Sequence, residues 1–276
     1  MTAPKITALI QAALDEDIGS GDITTDNLID PDTEGSGKII AKESLVVAGI
    51  DIARQVFHHL DPAIRFQPLV KDGARVDNRQ TIITVRGKLA ALLKSERTAL
   101  NFLQRLSGIA THVRSFVQMA GDAEVQIVDT RKTTPGWRVL EKYAVRIGGA
   151  RNHRMGLYDG VLIKDNHIAA FGGVKRSIEH IRRKVSHLIK IEVEASTLEE
   201  VKEAVAAKAD VIMLDNMDLK QIQDALALIN KQAVVELSGG INKTNLKQMI
   251  NAGVDLISIG SLTHGAVSVD ISMQIT

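Results

Sequence analysis

Residues 191–216 read IEVEASTLEEVKEAVAAKADVIMLDN. The short run IEVEA leads through Thr197 and Glu200, spaced as a capping box, into LEEVKEAVAAK, whose apolar residues recur at helical intervals. A second apolar run, VIMLD, follows at once. This is a strand, a helix and the next strand. The unit repeats outward in both directions. Upstream stand EVQIVD and GVLIKD; downstream LKQIQDALALIN, opened by Asp218 with Gln221 three positions on, leads to AVVELSGG and DLISIGS. The polar residues ending four of these runs, Glu194, Asp215, Ser238 and Gly260, lie 21, 23 and 22 positions apart. Strands apolar throughout and joined by helices imply a parallel sheet covered by helices, and this many units favour a barrel. The expectation is an α/β fold with an open, incomplete β/α barrel of about six to seven parallel strands.

The first hundred residues have another texture. A helical pattern in PKITALIQAALDEDIG precedes the extended segments GKIIAKESLVVAGI, IRFQPLVKDGARV and QTIITVRGKLAALL, separated by Gly, Pro and Asp-Asn turn signals. Residues 95–120 are helical in period but interrupted at Ser107-Gly108, where the domain junction is placed. Two domains are therefore expected, an N-terminal α/β unit over 1–108 and the barrel over 109–265. Residues 266–276 cap the barrel or pair back onto the first domain.

Composition narrows the function. With 276 residues, 45% of them apolar, the chain can bury a large core. Zero cysteine excludes disulfides, thiolate zinc sites and thiol nucleophiles, and fits a reducing cytosol. No apolar run approaches the ~18 residues of a membrane span, and no signal-peptide pattern opens the chain, so a cytoplasmic protein without membrane contact is expected. A net charge of +1 and 3% aromatic residues argue against nucleic-acid binding. Positive charge is local instead. Residues 131–167 hold eight Lys or Arg against three acids, a formal +5, which suits a small anionic partner.

Chemistry in a β/α barrel gathers where the strands' carboxyl ends meet, and the polar residues here obey that geometry. Thr130, Arg131 and Lys132 follow one run and Lys164 another, while Glu194, Asp215 and Ser238 end three more. Arg131, Lys132 and Lys164 each stand directly after an apolar strand, where an unpaired cation is costly, so an anionic ligand is their natural counterpart. His153 and Arg154 can join them. Arg138, Lys142 and Arg146 are expected on a solvated helix face. Ser238, Gly239 and Gly240, with Ile259, Gly260 and Ser261, suit a phosphate held by backbone N–H groups and helix N-termini, or are plain tight turns. Glu194 and Asp215 can serve sugar hydroxyls, help hold Mg²⁺, or simply pair with Lys132 or Lys164. His58 and His59 are adjacent and no HxH or HExxH occurs, so no zinc or iron site is expected.

The string DTRKTTPGWRVLEKYAVRIGGARNHRMGLYDGVLIKDNHI closely resembles the nicotinate-nucleotide pyrophosphorylase (carboxylating) family, also called quinolinate phosphoribosyltransferase. EDIGSGDITT, SERTALNFLQRLSGIAT, VEVEAS, IMLDN, ELSGGI and IGSLTH extend the resemblance over nearly the whole chain. It implies an N-terminal α/β sandwich joined to an open β/α barrel, in a homo-oligomer (dimer or hexamer) with sites between subunits. The implied reaction converts quinolinate and phosphoribosyl pyrophosphate, with Mg²⁺, into nicotinate mononucleotide, pyrophosphate and CO₂. By motif position, Arg97 resembles an arginine lent by the neighbouring subunit, and Arg131, Lys132, His153, Arg154 and Lys164 a cradle for carboxylates and pyrophosphate. Glu194 and Asp215 resemble carboxylates serving ribose and Mg²⁺, with Lys132 and Lys164 beside them in the catalytic group. The two glycine segments resemble loops for the 5′-phosphate. Three rivals remain: a homologue with another substrate, a Schiff-base aldolase using Lys132 or Lys164, and a non-enzymatic anion-binding module. Quinolinate binding, borohydride trapping and salt-sensitive DNA binding separate them.

Overall fold

The computed structural model describes residues 3–276. In chain order it runs α1 (Ala3–Ile18), α2 (Ile23–Leu28), β1 (Glu34–Ala41), β2 (Leu45–Val46), α3 (Ile50–Leu60), β3 (Arg65–Pro68), β4 (Arg75–Val76), β5 (Thr81–Lys88) and α4 (Leu89–Ala120). Then come β6 (Gln126–Val128), α5 (Arg138–Gly148), β7 (Val161–Ile163), α6 (Asp165–Phe171), α7 (Val174–Arg182), β8 (Ile191–Ala195) and α8 (Leu198–Ala206). The chain finishes with β9 (Val211–Asp215), α9 (Leu219–Ile229), β10 (Val234–Ser238), α10 (Leu246–Ile250), β11 (Leu256–Ser258), α11 (Ser261–His264) and β12 (Ile271–Ile275). These elements form two units. Residues up to Arg114, Thr134–Gly149 and Gly265–Thr276 make the first; Ser115–Thr133 and Ala150–His264 make the second.

The first unit is built on an antiparallel sheet in the order β12-β1-β5-β3. Strand β1 shows the two-residue alternation of a half-buried strand, with Gly37, Ile39 and Ala41 inward and Lys38 outward. Sequence spacing suggested a break at Ser107-Gly108, yet α4 passes through it unbroken. The pair marks close backbone approach instead. Ser107 Oγ accepts from the Ala48 N–H at 2.9 Å, and a Cβ on Gly108 would stand 2.1 Å from the Val267 carbonyl oxygen. In an open helix Gly→Ala stabilises by about 1 kcal/mol. Here Gly108→Ala is expected to destabilise by about 1–3 kcal/mol through overpacking, measured as a lowered denaturant midpoint.

Helix α5 also departs from expectation. Arg146 is exposed and Arg138 half-buried, but Lys142 and Glu141 are fully buried rather than solvated. Glu141 explains why a charged stretch goes inside. Its carboxylate accepts from Arg105 Nη2 at 2.9 Å, the Thr134 N–H at 3.1 Å and Thr134 Oγ1 at 2.8 Å, so its charge is paired and hydrogen-bonded.

The second unit is a parallel sheet in the order β6-β11-β10-β9-β8-β7, joined by helices: the open β/α barrel expected from the 22-residue rhythm. Val193, Ile212, Leu214, Leu237 and Ile257 are buried, as strands covered on both faces require. Both capping boxes form: Thr197 Oγ1 accepts from the Glu200 N–H at 3.2 Å and Asp218 Oδ1 from the Gln221 N–H at 2.9 Å. These caps fix where α8 and α9 begin, and so where the strand ends before them stop. Among the described residues no helix is long and apolar enough to cross a membrane.

Candidate active site

The carboxyl ends of the barrel strands surround a cavity of about 820 Å³. Its wall brings together Thr130, Arg131 and Lys132 after β6, His153 and Arg154 before β7, Lys164 after β7, Glu194 on β8 and Asp215 on β9. Ser238, Gly239 and Gly240 from β10, and Ile259, Gly260 and Ser261 after β11, complete it. Arg97 is exposed on α4 in the first unit and is not among the lining residues.

Local hydrogen bonds aim the cations. Fully buried Asp129 accepts from the His153 N–H at 2.8 Å and from Asn152 Nδ2 at 2.7 Å, which draws the segment carrying Arg154 to the end of β6. Lys132 is pinned at both backbone ends, its N–H donating to Thr130 Oγ1 at 3.1 Å and its carbonyl accepting from Thr263 Oγ1 at 2.7 Å. Its ammonium has no carboxylate partner among the described residues. Half-buried Arg154 spends one N–H on the Gly160 carbonyl at 2.9 Å, while burial and the nearby Arg131 charge push its guanidinium below its usual range. Two guanidiniums so close repel one another until an anion lies between them.

The carboxylates divide. Glu194 forms an ion pair with Lys164 and also accepts from the Asp165 N–H at 3.3 Å, so the plain pairing weighed from sequence exists here. Asp215 spends Oδ2 on the Asn216 amide at 2.8 Å. Its other oxygen accepts from no described residue. An all-oxygen pair of this kind suits Mg²⁺, which takes one or two carboxylates and completes its shell with water and substrate phosphates.

The glycine segments are shaped for backbone contact. Gly239 and Gly240 lie at φ +97 and +59, and Asn216 beside them at φ +54. The N–H groups of both glycines have no acceptor among the described residues, leaving two adjacent donors for an anion. The helices after these strands are short, four residues in α11 and five in α10. A large helix dipole is therefore absent, and the loops' own amides must do the binding.

Sequence reading missed two residues. Glu192 and Glu236 sit inside β8 and β10 two positions before Glu194 and Ser238, so strand alternation turns them to the same inward face. That spacing was the available signal. His153 Nε2 lies 3.0 Å from Glu192 Oε2 and 3.7 Å from Glu236 Oε2, so one histidine does gather with acids that no sequence motif could pair with it. Glu236 is 1% exposed yet lines the cavity. Burial and then the Glu192 charge push its carboxyl up to about 7, against the pull of His153 and the Ser258 hydroxyl.

Known proteins match this chain along its whole length. The signature of the quinolinate phosphoribosyl transferase C-terminal domain matches residues 109–274, and that of its N-terminal domain residues 22–107. The chain is 44% identical over 269 residues to the probable nicotinate-nucleotide pyrophosphorylase (carboxylating) of Synechocystis, covering 96% of this chain and 91% of that one. Its counterpart in Bacillus subtilis is 44% identical over 261 residues, covering 95% and 90%. Among solved structures, NadC from Streptococcus pyogenes superposes with a TM-score of 0.96 at 42% identity, covering 100% of this chain and 98% of that one.

Proposed function

The chain belongs to the quinolinate phosphoribosyltransferase family, decarboxylating pentosyltransferases of NAD biosynthesis, and from that premise we propose how its cavity works. Quinolinate and phosphoribosyl pyrophosphate become nicotinate mononucleotide, pyrophosphate and CO₂. One observation supports the assignment of roles above the others: Arg131, Lys132, Arg154 and Lys164 face one cavity, with no carboxylate partner for Lys132 among the described residues and the two arginines in mutual repulsion. Carboxyls also line the wall, at Asp165, Glu194, Asp215 and Glu236, yet among the described residues none pairs with Lys132, which an anionic ligand can therefore meet. Quinolinate brings two carboxylates, and each charge-assisted hydrogen bond to them is worth roughly 1.5–3 kcal/mol.

Arg131, Lys132, His153 and Arg154 hold the quinolinate carboxylates and the pyrophosphate, and Lys164 lies beside the leaving group. Ser238, Gly239, Gly240, Ile259, Gly260 and Ser261 take the 5′-phosphate on backbone amides. Glu194 and Asp215 hold the ribose hydroxyls and would hold Mg²⁺. When bound, Mg²⁺ neutralises charge on the departing pyrophosphate. The ring nitrogen attacks the anomeric carbon as pyrophosphate leaves, a step governed by positioning and charge stabilisation and needing no protein nucleophile. The ribosylated nitrogen is then cationic and stabilises the electron pair left on the adjacent carbon when its carboxylate departs as CO₂. Purified protein mixed with quinolinate, phosphoribosyl pyrophosphate and Mg²⁺ is expected to yield CO₂ and nicotinate mononucleotide together. Absence of both would overturn the reading.

A homo-oligomer, dimer or hexamer, follows from the same reading, with exposed Arg97 lent to a neighbouring subunit's site. Arg97→Ala and Lys132→Ala are each expected to be nearly inactive alone. In a two-fold dimer, unfolded together and refolded as a mixture, they should recover about a quarter of wild-type activity, because half of the molecules then carry one intact site of two. No recovery would place Arg97 in its own subunit's chemistry or outside it. Absence of cysteine supports a cytoplasmic location.

A further inference from the structure

We propose that Glu236 is the acid that returns a proton to the ring carbon from which CO₂ departs. The inference rests on the quinolinate reading above and extends it to the second half of the reaction. Glu236 lines the cavity on β10, yet it is 1% exposed and its Oε1, like that of Glu192, has no hydrogen-bond partner among the described residues. A buried carboxylate short of donors is costly, whereas a carboxyl that keeps its proton is not. The groups facing it are Glu192 and Glu194 from β8, His153 from the segment before β7, and Ser258 from β11. On the β9 side, apolar Met213 stands in register beside it.

His153 settles where the protons lie. Its Nδ1 accepts the Arg154 N–H at 2.7 Å, so that nitrogen carries a lone pair and Nε2 carries the hydrogen. Nε2 directs this hydrogen at Glu192 Oε2, 3.0 Å away, and leaves Glu236 Oε2 farther off, at 3.7 Å. The same hydrogen occupies the lone pair that a metal ion would need. Although His153, Glu192 and Glu236 are close enough to share an ion, their hydrogen bonding is that of a proton-holding group. Two carboxyls beside a single N–H do not both ionise cheaply, so the remaining proton belongs to Glu236. Its raised range, about 7, keeps that proton available and transferable near neutral pH.

The step balances. In the ribosylated intermediate the bond between the ring carbon and its carboxylate breaks, CO₂ leaves, and the electron pair stays on the carbon. The O–H bond of Glu236 then breaks, its proton forms the new C–H bond, and Glu236 is left as a carboxylate that water at the cavity mouth reprotonates. Without a proton donor the carbanion recaptures CO₂.

Single-turnover reactions should be run with quinolinate labelled in the carboxyl that is lost, following pyrophosphate and labelled CO₂ separately. In Glu236→Gln, which keeps the shape and the neutral state, CO₂ release is expected to fall at least ~100-fold, with pyrophosphate release outrunning it and the dicarboxylate nucleotide accumulating. Glu236→Asp, which keeps an acid, should recover part of the CO₂ step. In the wild type the CO₂ step should decline as pH rises through about 7 while pyrophosphate release does not, and the glutamine variant should lose that limb. Equal loss of both products, or CO₂ release in Glu236→Gln at the wild-type rate with an unchanged pH profile, would overturn the assignment. Wild-type protein that releases neither product would overturn the parent reading as well.

Discussion

Lys132→Ala is expected to lower kcat/KM for quinolinate by at least ~100-fold and to leave stability within about 1 kcal/mol. The two halves of this prediction have one cause. Lys132 is exposed, its ammonium has no carboxylate partner among the described residues, and its backbone is held by Thr130 and Thr263 through main-chain atoms that the substitution keeps. Truncation therefore strands no buried charge. Arg154→Ala should cost activity similarly while relieving the repulsion with Arg131, so its melting temperature should hold or rise. Lys164→Ala differs again, because it strips Glu194 of its ion-pair partner. Turnover by Lys132→Ala near the wild-type rate would remove that residue from the substrate cradle.

Gly239→Ala is the second large effect, and it falls on the other substrate. At φ +97 a side chain is strained, and the new Cβ would stand 2.2 Å from Asn216 Oδ1 and 2.8 Å from the Asn216 backbone nitrogen. The loop must move, since the second obstacle is main chain. Losing one to three kcal/mol of loop geometry should raise KM for phosphoribosyl pyrophosphate by about one to two orders of magnitude, with a smaller change for quinolinate. Gly240→Ala is the control. Its φ is +59, but nothing lies within 4 Å of the added carbon, so only the modest cost of a left-handed alanine, roughly 1 kcal/mol, applies. Steady-state kinetics that rank the two variants equally would show that contact with Asn216 does not shape the loop.

The barrel was legible because its signals are local. Apolar runs, capping boxes at Thr197 and Asp218 and a steady strand-to-strand interval all act over a few residues, and the structure places the strand ends around one cavity. What sequence hid depends on distant partners. Lys142 looked like part of a solvated face, and nothing nearby in sequence shows that Arg105, 36 positions upstream, answers the neighbouring Glu141. Ser107-Gly108 looked like a break because a Gly in a helix usually weakens it, whereas here the missing Cβ admits a carbonyl from residue 267. Glu192 and Glu236 escaped notice because the histidine they gather around, His153, lies on another segment of the barrel far away in sequence.

The pairing of β12 with β1 bears on how the nascent chain matures. Ser36 and Thr276, hydrogen-bonded at this seam, stand 240 positions apart, and every barrel strand is translated between them. A ribosome therefore delivers all the barrel strands before the first unit's sheet can gain its outer strand, and loop closure over that span slows the final pairing. Until then β1 offers an open edge to other chains, so crowded synthesis should favour aggregation through β1, and truncation after His264 should expose the same edge permanently.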